Sequence, residues 1–314
     1  MTGMELETCL NALREQDDIL IVTHRNPDGD TMGSAAALCS ALRRLGKQAY
    51  VYPNEQVTAK LAPYVSPYLA PASFVPHYVV SVDVATEKMF AKGFSGPVDL
   101  CIDHHPSNSG YAPLRYIDGS AASCGQIVLR AIKQLCGSIV KTEADLLYIA
   151  LSTDCGCFQY SNTDAAALRA AAELLEAGAD NQGLNQLFFR RVSKARLKLE
   201  GSIYENMSFH KGGKIAVAIV TDAMLQAAGA VEDDCDDLAG LAGRAEGSLV
   251  SITIRDYPGG ASKVSVRSGP EFDSCALCAR FDGGGHRMAA GCNIPVPPLQ
   301  ARELLLKAID EVWQ

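Results

Sequence analysis

Four short segments bring together the residue types that bind hard metal ions. They are His24 with Asp28 and Asp30 in HRNPDGD, Asp83 in VSVDVA, Asp103-His104-His105, and Asp154 in LSTDCG. Each follows a short apolar run or stands at a helix end. Carboxylate and imidazole without thiolate suit manganese or magnesium, and mixed imidazole favours manganese. Two such ions, roughly 3.5–4 Å apart, can share one carboxylate, make a water nucleophilic at neutral pH and clamp phosphoryl oxygens. The chemistry to expect is metal-assisted hydrolysis at phosphorus. The chain has six histidines, and His24, His104, His105 and His286 fall within its motifs. His77 and His210 read as surface or core groups without a role.

Such a ligand set needs a frame that collects distant segments. Residues 18–23 (DILIVT), 48–52 (QAYVY), 77–84 (HYVVSVDV) and 98–103 (VDLCID) read as strands. Continuous apolar runs of this kind suit a parallel sheet buried on both faces. In an open parallel sheet, ligands gather at the carboxyl edge, and Asp28, Asp30, Asp83 and Asp103 all follow strands. Helical periodicity covers 32–45, with a stop at Gly46, then 123–135, 143–154 and 164–180. The expected architecture is α/β: a doubly wound parallel-sheet domain over residues 1–187, a helical linker over 188–209, and a smaller mixed α/β domain over 210–314. In that last part, 214–221 reads as a strand. Residues 249–257 and 263–269 read as a hairpin around Pro258-Gly259-Gly260-Ala261. A short helix near 274–281 and a last helix from about 298 to 313 follow.

DGGGHRMAAG, beginning at Asp282, is a second candidate site. Consecutive glycines at 283, 284 and 285 let the backbone approach an anion and turn N–H groups toward it. The residues after them can start a helix, whose N-terminus favours phosphate. His286 and Arg287 add donors. The spacing is not that of a dinucleotide-binding fingerprint.

Composition excludes several classes. With 314 residues, 48% hydrophobic and 20% charged, the chain fits a soluble globular protein of two domains. A net charge of −8 gives no basic footprint for long nucleic acid, so short substrates held by a few groups are expected. The one dense basic stretch, RRVSKARLK from Arg190, reads as a solvated helix face. No run approaches the roughly 18 apolar residues of a membrane span. The acidic N-terminal segment lacks the pattern of a signal peptide, and the expected setting is the cytoplasm. The eleven cysteines read as reduced, small core residues; the spacings at Cys155/Cys157 and Cys275/Cys278 lack the second pair of a zinc ribbon.

Taken in order, HRNPDGD, Asp83, DHH, Asp154 and GGGHRMAAG closely resemble the DHH phosphoesterase superfamily with its DHH-associated C-terminal domain. The compact length is similar to the bifunctional oligoribonuclease and pAp phosphatase group. That resemblance implies two divalent ions, manganese first and magnesium as the alternative. His24, Asp28 and Asp83 would hold one ion; Asp30, Asp83, His104 and Asp154 the other, with Asp83 bridging. Asp103 would orient the histidine pair, and His105 would reach the scissile phosphate. Arg267, Ser268, Gly283–Gly285 and Arg287 would contact substrate, and His286 the scissile group. Catalysis would rest on His105, Asp103, His286 and Arg267. The implied reactions are cleavage of short oligoribonucleotides to 5′-mononucleotides and of pAp to AMP and phosphate. A homodimer and no membrane partner are implied as well. A phosphodiesterase for cyclic or linear dinucleotides (c-di-AMP, pApA, pGpG) shares the same core motifs. A pyrophosphatase would carry a lysine-rich C-terminal signature in place of GGGH, and a RecJ-type exonuclease would need a larger chain. A non-catalytic nucleotide or RNA sensor would typically have lost Asp154 or His104.

Overall fold

The computed structural model describes residues 5–235 and 238–313. The chain divides between Arg191 and Val192 into two compact units. The first holds α1 (Leu6–Glu15), β1 (Ile19–Val22), α2 (Gly29–Arg44), β2 (Ala49–Val51), α3 (Ala62–Val65), β3 (Tyr78–Val82), β4 (Leu100–Asp103), β5 (Leu114–Ile117), α4 (Cys124–Cys136), α5 (Lys141–Asp154), α6 (Ala165–Glu176) and α7 (Asn181–Asn185). The second holds α8 (Lys194–Glu205), β6 (Ser208–His210), β7 (Ile215–Val220), α9 (Asp222–Ala228), β8 (Val250–Tyr257), β9 (Ala261–Ser268), α10 (Ser274–Ala279), β10 (Gly284–His286), β11 (Ala289–Ile294) and α11 (Pro298–Val312).

The first unit's sheet runs β2-β1-β3-β4-β5, and every pair is parallel. Its strands are short and apolar, and every residue of β1 and of β4 is buried. Ile19, Ile21, Val80, Val82, Leu100 and Ile102 pack with helical side chains such as Leu38, Leu42, Ile127 and Leu147. On alternate positions, Val79 and Cys101 pack with Phe90, Phe94 and Tyr111 from the β3–β4 and β4–β5 connections. The strand order departs in opposite directions from β1, toward β2 on one side and β3 on the other. This is a topological switch point, where open sheets leave a crevice at their carboxyl edge.

Small residues bring α2 close to its neighbours. A Cβ on Gly29 would lie 2.2 Å from Thr153 Oγ1, and one on Gly33 would lie 2.4 Å from the Leu146 carbonyl oxygen. On α4, a Cβ on Gly125 would lie 2.6 Å from Ala150 Cβ. The glycines thus let α2, α4 and α5 approach within backbone contact, which sets the C-terminal end of α5 beside the N-terminal end of α2. The sequence pattern started this helix at Met32. It starts at Gly29, because the Asp28 side chain caps it by accepting from the Thr31 N–H. β5 carries no comparable signal in the sequence: its residues LRYI are all half-buried and show no clear alternation.

The second unit's sheet runs β10-β11-β9-β8-β7-β6, antiparallel except between β7 and β8. Val250, Ile252, Ile254, Val264 and Val266 face Leu277 of α10 and Ala301, Leu305 and Ile309 of α11. Ala216, Ala218 and Val220 of β7 face Leu199 and Ile203 of α8. Here one expectation fails: the Gly-rich segment does not lead into a helix. It forms β10, paired antiparallel with β11. Ala290, Cys292 and Ile294 recur with a period of two and bury against the α10/α11 core, so sheet packing decides the conformation. The basic stretch is also not a uniformly solvated face: Arg196 is buried, donating to the Glu200 carboxylate and the Asp234 carbonyl. The cysteines are unpaired, and Cys9, Cys39, Cys101 and Cys124 are buried core residues. Among the described residues, no helix is long and apolar enough to cross a membrane.

Candidate metal centre

The switch point collects the candidate ligand residues. His24 lies just past the end of β1, Asp83 directly after β3, and Asp103 is the last residue of β4. Asp28 and Asp30 stand at the start of α2, and Asp154 is the last residue of α5. Among the described residues they form three overlapping triads in which one donor atom from each residue lies within 4.8 Å of the others: His24, Asp28 and Asp83; Asp30, His104 and Asp154; and Asp83, His104 and His105. Asp83 joins them. Its Oδ2 is 3.5 Å from His24 Nε2 and its Oδ1 is 3.4 Å from His104 Nε2. His104 Nε2 is 3.8 Å from both Asp30 Oδ2 and Asp154 Oδ2. A cavity of about 320 Å³ opens on the cluster and is lined also by Arg25, Asn26, Met89 and His105.

These separations are too long for good hydrogen bonds, so the donors converge without satisfying one another. Among the described residues, Asp83 Oδ1 is buried with no hydrogen-bond partner. An orphaned carboxylate oxygen is costly unless a cation meets it. Asp83 also has φ +60°, a left-handed conformation that is uncommon outside glycine, though Asp adopts it more readily than most side chains. A set of carboxylate and imidazole donors around such an oxygen fits hard divalent ions.

Surrounding groups fix each ligand. Asp30 is 2% exposed; its Oδ1 accepts from Gly125 N–H (2.8 Å) and Ser34 Oγ (3.0 Å), and its Oδ2 from Cys124 N–H (2.7 Å). The N-terminus of α4 therefore points at a buried anion, the favourable sense of the helix dipole. Asp154, at a helix C-terminus, stands in the unfavourable sense, which marks it as a residue placed for another purpose. The backbone beyond it winds left-handed through Gly156, Cys157 and Phe158, with φ of 54°, 54° and 63°. Such a turn costs on the order of 1–2 kcal/mol per non-glycine residue. His104 Nδ1 faces the Ala121 carbonyl oxygen at 3.2 Å, so that nitrogen carries the proton and Nε2 faces the carboxylates. His105 Nδ1 donates to Asp103 Oδ1 at 2.8 Å, and its Nε2 has no hydrogen-bond partner among the described residues. Asp103 thus bonds the ring of His105 and only the backbone N–H of His104.

The cluster's charge shows in its acidities. Burial works against a charged His24, but Asp28 and then Asp83 outweigh it and lift its pKa to about 10. His104 is lifted to about 10 against burial by Asp83, Asp30 and Asp154. Burial, followed by the charges of Asp83 and Asp154, pushes Asp30 well above the usual carboxylate range. Burial and the Asp83 and Asp28 charges, against the pull of His104, raise Asp154 to about 6. Burial and close like charge thus both favour protons on the members of the cluster.

The second unit places Arg267 on β9, opposite Ala289 of β11, which is in turn opposite His286 of β10. Directly paired residues share a sheet face, so the three form one row. Arg267, His286 and Arg287 are exposed, while Ser268 is half-buried and its hydroxyl bonds Ser274 Oγ (2.8 Å) and the Phe272 carbonyl oxygen (3.1 Å). The glycines divide by role. A Cβ on Gly283 would lie 2.4 Å from Cys292 Cβ, and one on Gly285, at φ +144°, 2.6 Å from the Ala289 carbonyl oxygen. Those two are required by the hairpin itself. A Cβ on Gly284 would meet nothing within 4 Å. Sequence reasoning missed the groups that hold the ligands: Asn108, Ser34, Gly125 and the Ala121 carbonyl. The available signals were Ser123 as the N-cap of α4 and Asn108 closing DHHPSN.

Residues 18–151 match the N-terminal domain of the DHH family and residues 212–314 match the DHHA1 domain, which defines the class as phosphoesterases of that architecture. The chain is 35% identical over 300 residues to the bifunctional oligoribonuclease and PAP phosphatase NrnA of Thermus thermophilus, covering 93% of this chain and 89% of that protein. It is 27% identical over 292 residues to the NrnA of Bacillus subtilis, covering 88% and 90%. Its fold is shared with an exopolyphosphatase-related protein from Bacteroides fragilis, with a TM-score of 0.87 at 23% identity over 98% and 95% of the two chains. The chain belongs to the DHH family with a DHHA1 domain, in the group of the bifunctional oligoribonucleases and PAP phosphatases.

Proposed function

We propose that the protein hydrolyses short oligoribonucleotides to 5′-mononucleotides, and pAp to AMP and phosphate. It does so with two divalent ions, manganese in preference to magnesium, in the cytoplasm. The observation that carries this reading is the convergence of carboxylate and imidazole donors around Asp83, whose buried Oδ1 has no hydrogen-bond partner among the described residues. The names of the relatives support the substrate class, as does the acidic charge balance, which disfavours long polyanions.

His24, Asp28 and Asp83 are the donors for one ion; Asp30, Asp83, His104 and Asp154 are the donors for the other. Bound there, the ions supply Lewis acidity toward phosphoryl oxygens and acidify a water. The chain's own part is positional and electrostatic. Asp28 has one oxygen tied to the Thr31 N–H at 3.0 Å, which turns the other toward His24. His105, oriented by Asp103, presents Nε2 to the phosphate; contact with Asp103, against burial, raises its affinity for a proton. A protonated ring there stabilises charge that grows on the phosphoryl oxygens. Arg267, Arg287, His286 and the open backbone at Gly284 are the proposed substrate contacts of the second unit, with Gly283 and Gly285 shaping the strand that carries them. Ser268 acts from beneath, through its bond to Ser274.

The test is side-by-side hydrolysis of pAp, labelled RNA dinucleotides and pentanucleotides, c-di-AMP and pyrophosphate, with manganese, magnesium or chelator. Manganese-dependent cleavage of pAp and short RNA is expected. Preference for c-di-AMP would move the reading to dinucleotide turnover, and no cleavage of any substrate would replace it with a nucleotide sensor.

A further inference from the structure

We propose that Asn108 is a positioning residue of this site, acting through Asp103 on His105. The proposal deepens the reading above and rests on the role given there to His105. The Asp103 side chain is 0% exposed. Its Oδ1 accepts from His105 Nδ1 (2.8 Å), His104 N–H (2.8 Å) and His105 N–H (3.2 Å). Its Oδ2 accepts from Asn108 Nδ2 at 2.6 Å.

The same amide donates to the Val84 carbonyl oxygen at 3.1 Å, one residue beyond Asp83, and lies 3.5 Å from Cys101 Sγ. An amide nitrogen has two hydrogens, and the carboxylate and the carbonyl use both. The Asn108 carbonyl oxygen accepts from Gly110 N–H at 2.8 Å. One side chain therefore ties the end of β4, through Asp103, to the left-handed turn after β3 that carries Asp83. With Asn108 gone, Asp103 Oδ2 is buried without a partner. The carboxylate then turns to recover one, and the His105 ring it holds turns with it.

The alternative role is local: the bond to Gly110 is an Asx turn, which shapes the loop without regard to catalysis. Asn108→Asp separates the two. It keeps the acceptor for Gly110, loses both donors and sets a carboxylate against Asp103. We would compare the wild type, Asn108→Ala and Asn108→Asp, each alone and with His105→Ala. The readouts are kcat and KM on pAp and an RNA dinucleotide, metal content, melting temperature, and the ¹⁵N shifts of His105 in metal-free protein. The expected result is a kcat lowered roughly 10–100-fold in Asn108→Ala, the usual loss for a group that orients a site residue. KM should stay within about twofold. Asn108→Asp should do no better, and neither should lower kcat further in the His105→Ala background.

Wild-type kcat in Asn108→Asp would overturn the proposal in favour of the turn. An undiminished loss in the His105→Ala background would overturn it too, since a purely structural role is additive. If the wild type turned over neither substrate, the function reading would fall. The His105 ring signals would then decide: a changed Nδ1–H population in Asn108→Ala supports the proposal, and unchanged shifts overturn it.

Discussion

The metal centre and the Gly-rich hairpin are built on opposite plans. In the first unit His24, Asp30, Asp83 and Asp103 are buried, and backbone N–H groups and helix ends hold their charge. In the second unit Gly284, Gly285 and His286 are exposed on the outermost strand. Glycine differs likewise. Gly29, Gly33 and Gly125 make room between helices, whereas Gly283 and Gly285 make room between strands, and Gly284 makes room for nothing in the protein. A buried cluster of like charge strains the fold until cations arrive. An exposed row of donors costs the fold little and waits for an anion. The first should therefore govern kcat and pH response, the second KM.

The sharpest break of that contrast is Asp83→Ala. Asp83 belongs to the triad with His24 and Asp28 and reaches His104 with its other oxygen, so its loss should lower kcat roughly a thousandfold or more on pAp and short RNA, the worth of several kcal/mol of charge stabilisation. Metal stoichiometry measured on the same variant should fall. Near-wild-type turnover in Asp83→Ala would remove the metal centre from the mechanism.

The next effect is a pH dependence that inverts on loading. A histidine lifted to about 10 in the fold stabilises it fully below its unfolded value near 6.5, and that stability drains away as pH rises through 10. Asp154, lifted to about 6, also holds its proton more tightly when folded, so its contribution has the same sign at lower pH. The metal-free protein should thus melt at a lower temperature near pH 9 than near pH 6. Metal competes with those protons, so the rise in melting temperature on adding manganese should grow with pH. Melting curves with chelator and with manganese across that range check both signs. A metal-free protein that gains stability toward alkaline pH would contradict the charge reading of the site.

The two plans also differ in how far the sequence exposes them. That His24, Asp28, Asp30, Asp83, Asp103 and His104 gather in one place is legible because polar residues at the ends of apolar strands have few bland explanations, and the strands themselves follow from their continuous burial. Asp154 was readable by order along the chain, though its helix end alone says nothing. What the sequence hid were backbone partners. The Ala121 carbonyl that sets His104 and the α4 N–H groups that hold Asp30 come from segments about 17 and 94 residues away, and any residue type can supply them. The hairpin was misread for a related reason: Gly-rich sequence is permissive, and the choice between strand and helix was made by Ala290, Cys292 and Ile294 docking on a core assembled elsewhere.

In the second unit the expected effects are smaller. Arg267→Ala should raise KM for pAp by roughly tenfold, with kcat changed less, as for loss of a charged hydrogen bond at an exposed position. A kcat loss matching that of Asp83→Ala would erase the proposed division of labour.

Gly284→Ala is the finest test. Gly285→Ala would place a methyl 2.6 Å from the Ala289 carbonyl oxygen at φ +144°, so it should destabilise the unit whatever the substrate does. At Gly284 the added methyl meets no atom of the described residues beyond its chain neighbours within 4 Å, and stability should stay within about 0.5 kcal/mol. Any change in catalysis there must come from substrate that needs the bare backbone. The expected outcome is an unchanged melting temperature and a KM for pAp raised by about tenfold or less, the scale of one misplaced methyl in a binding site. An unchanged KM would mean that this glycine is tolerated rather than used, and would leave anion recognition in the second unit to Arg267, His286 and Arg287.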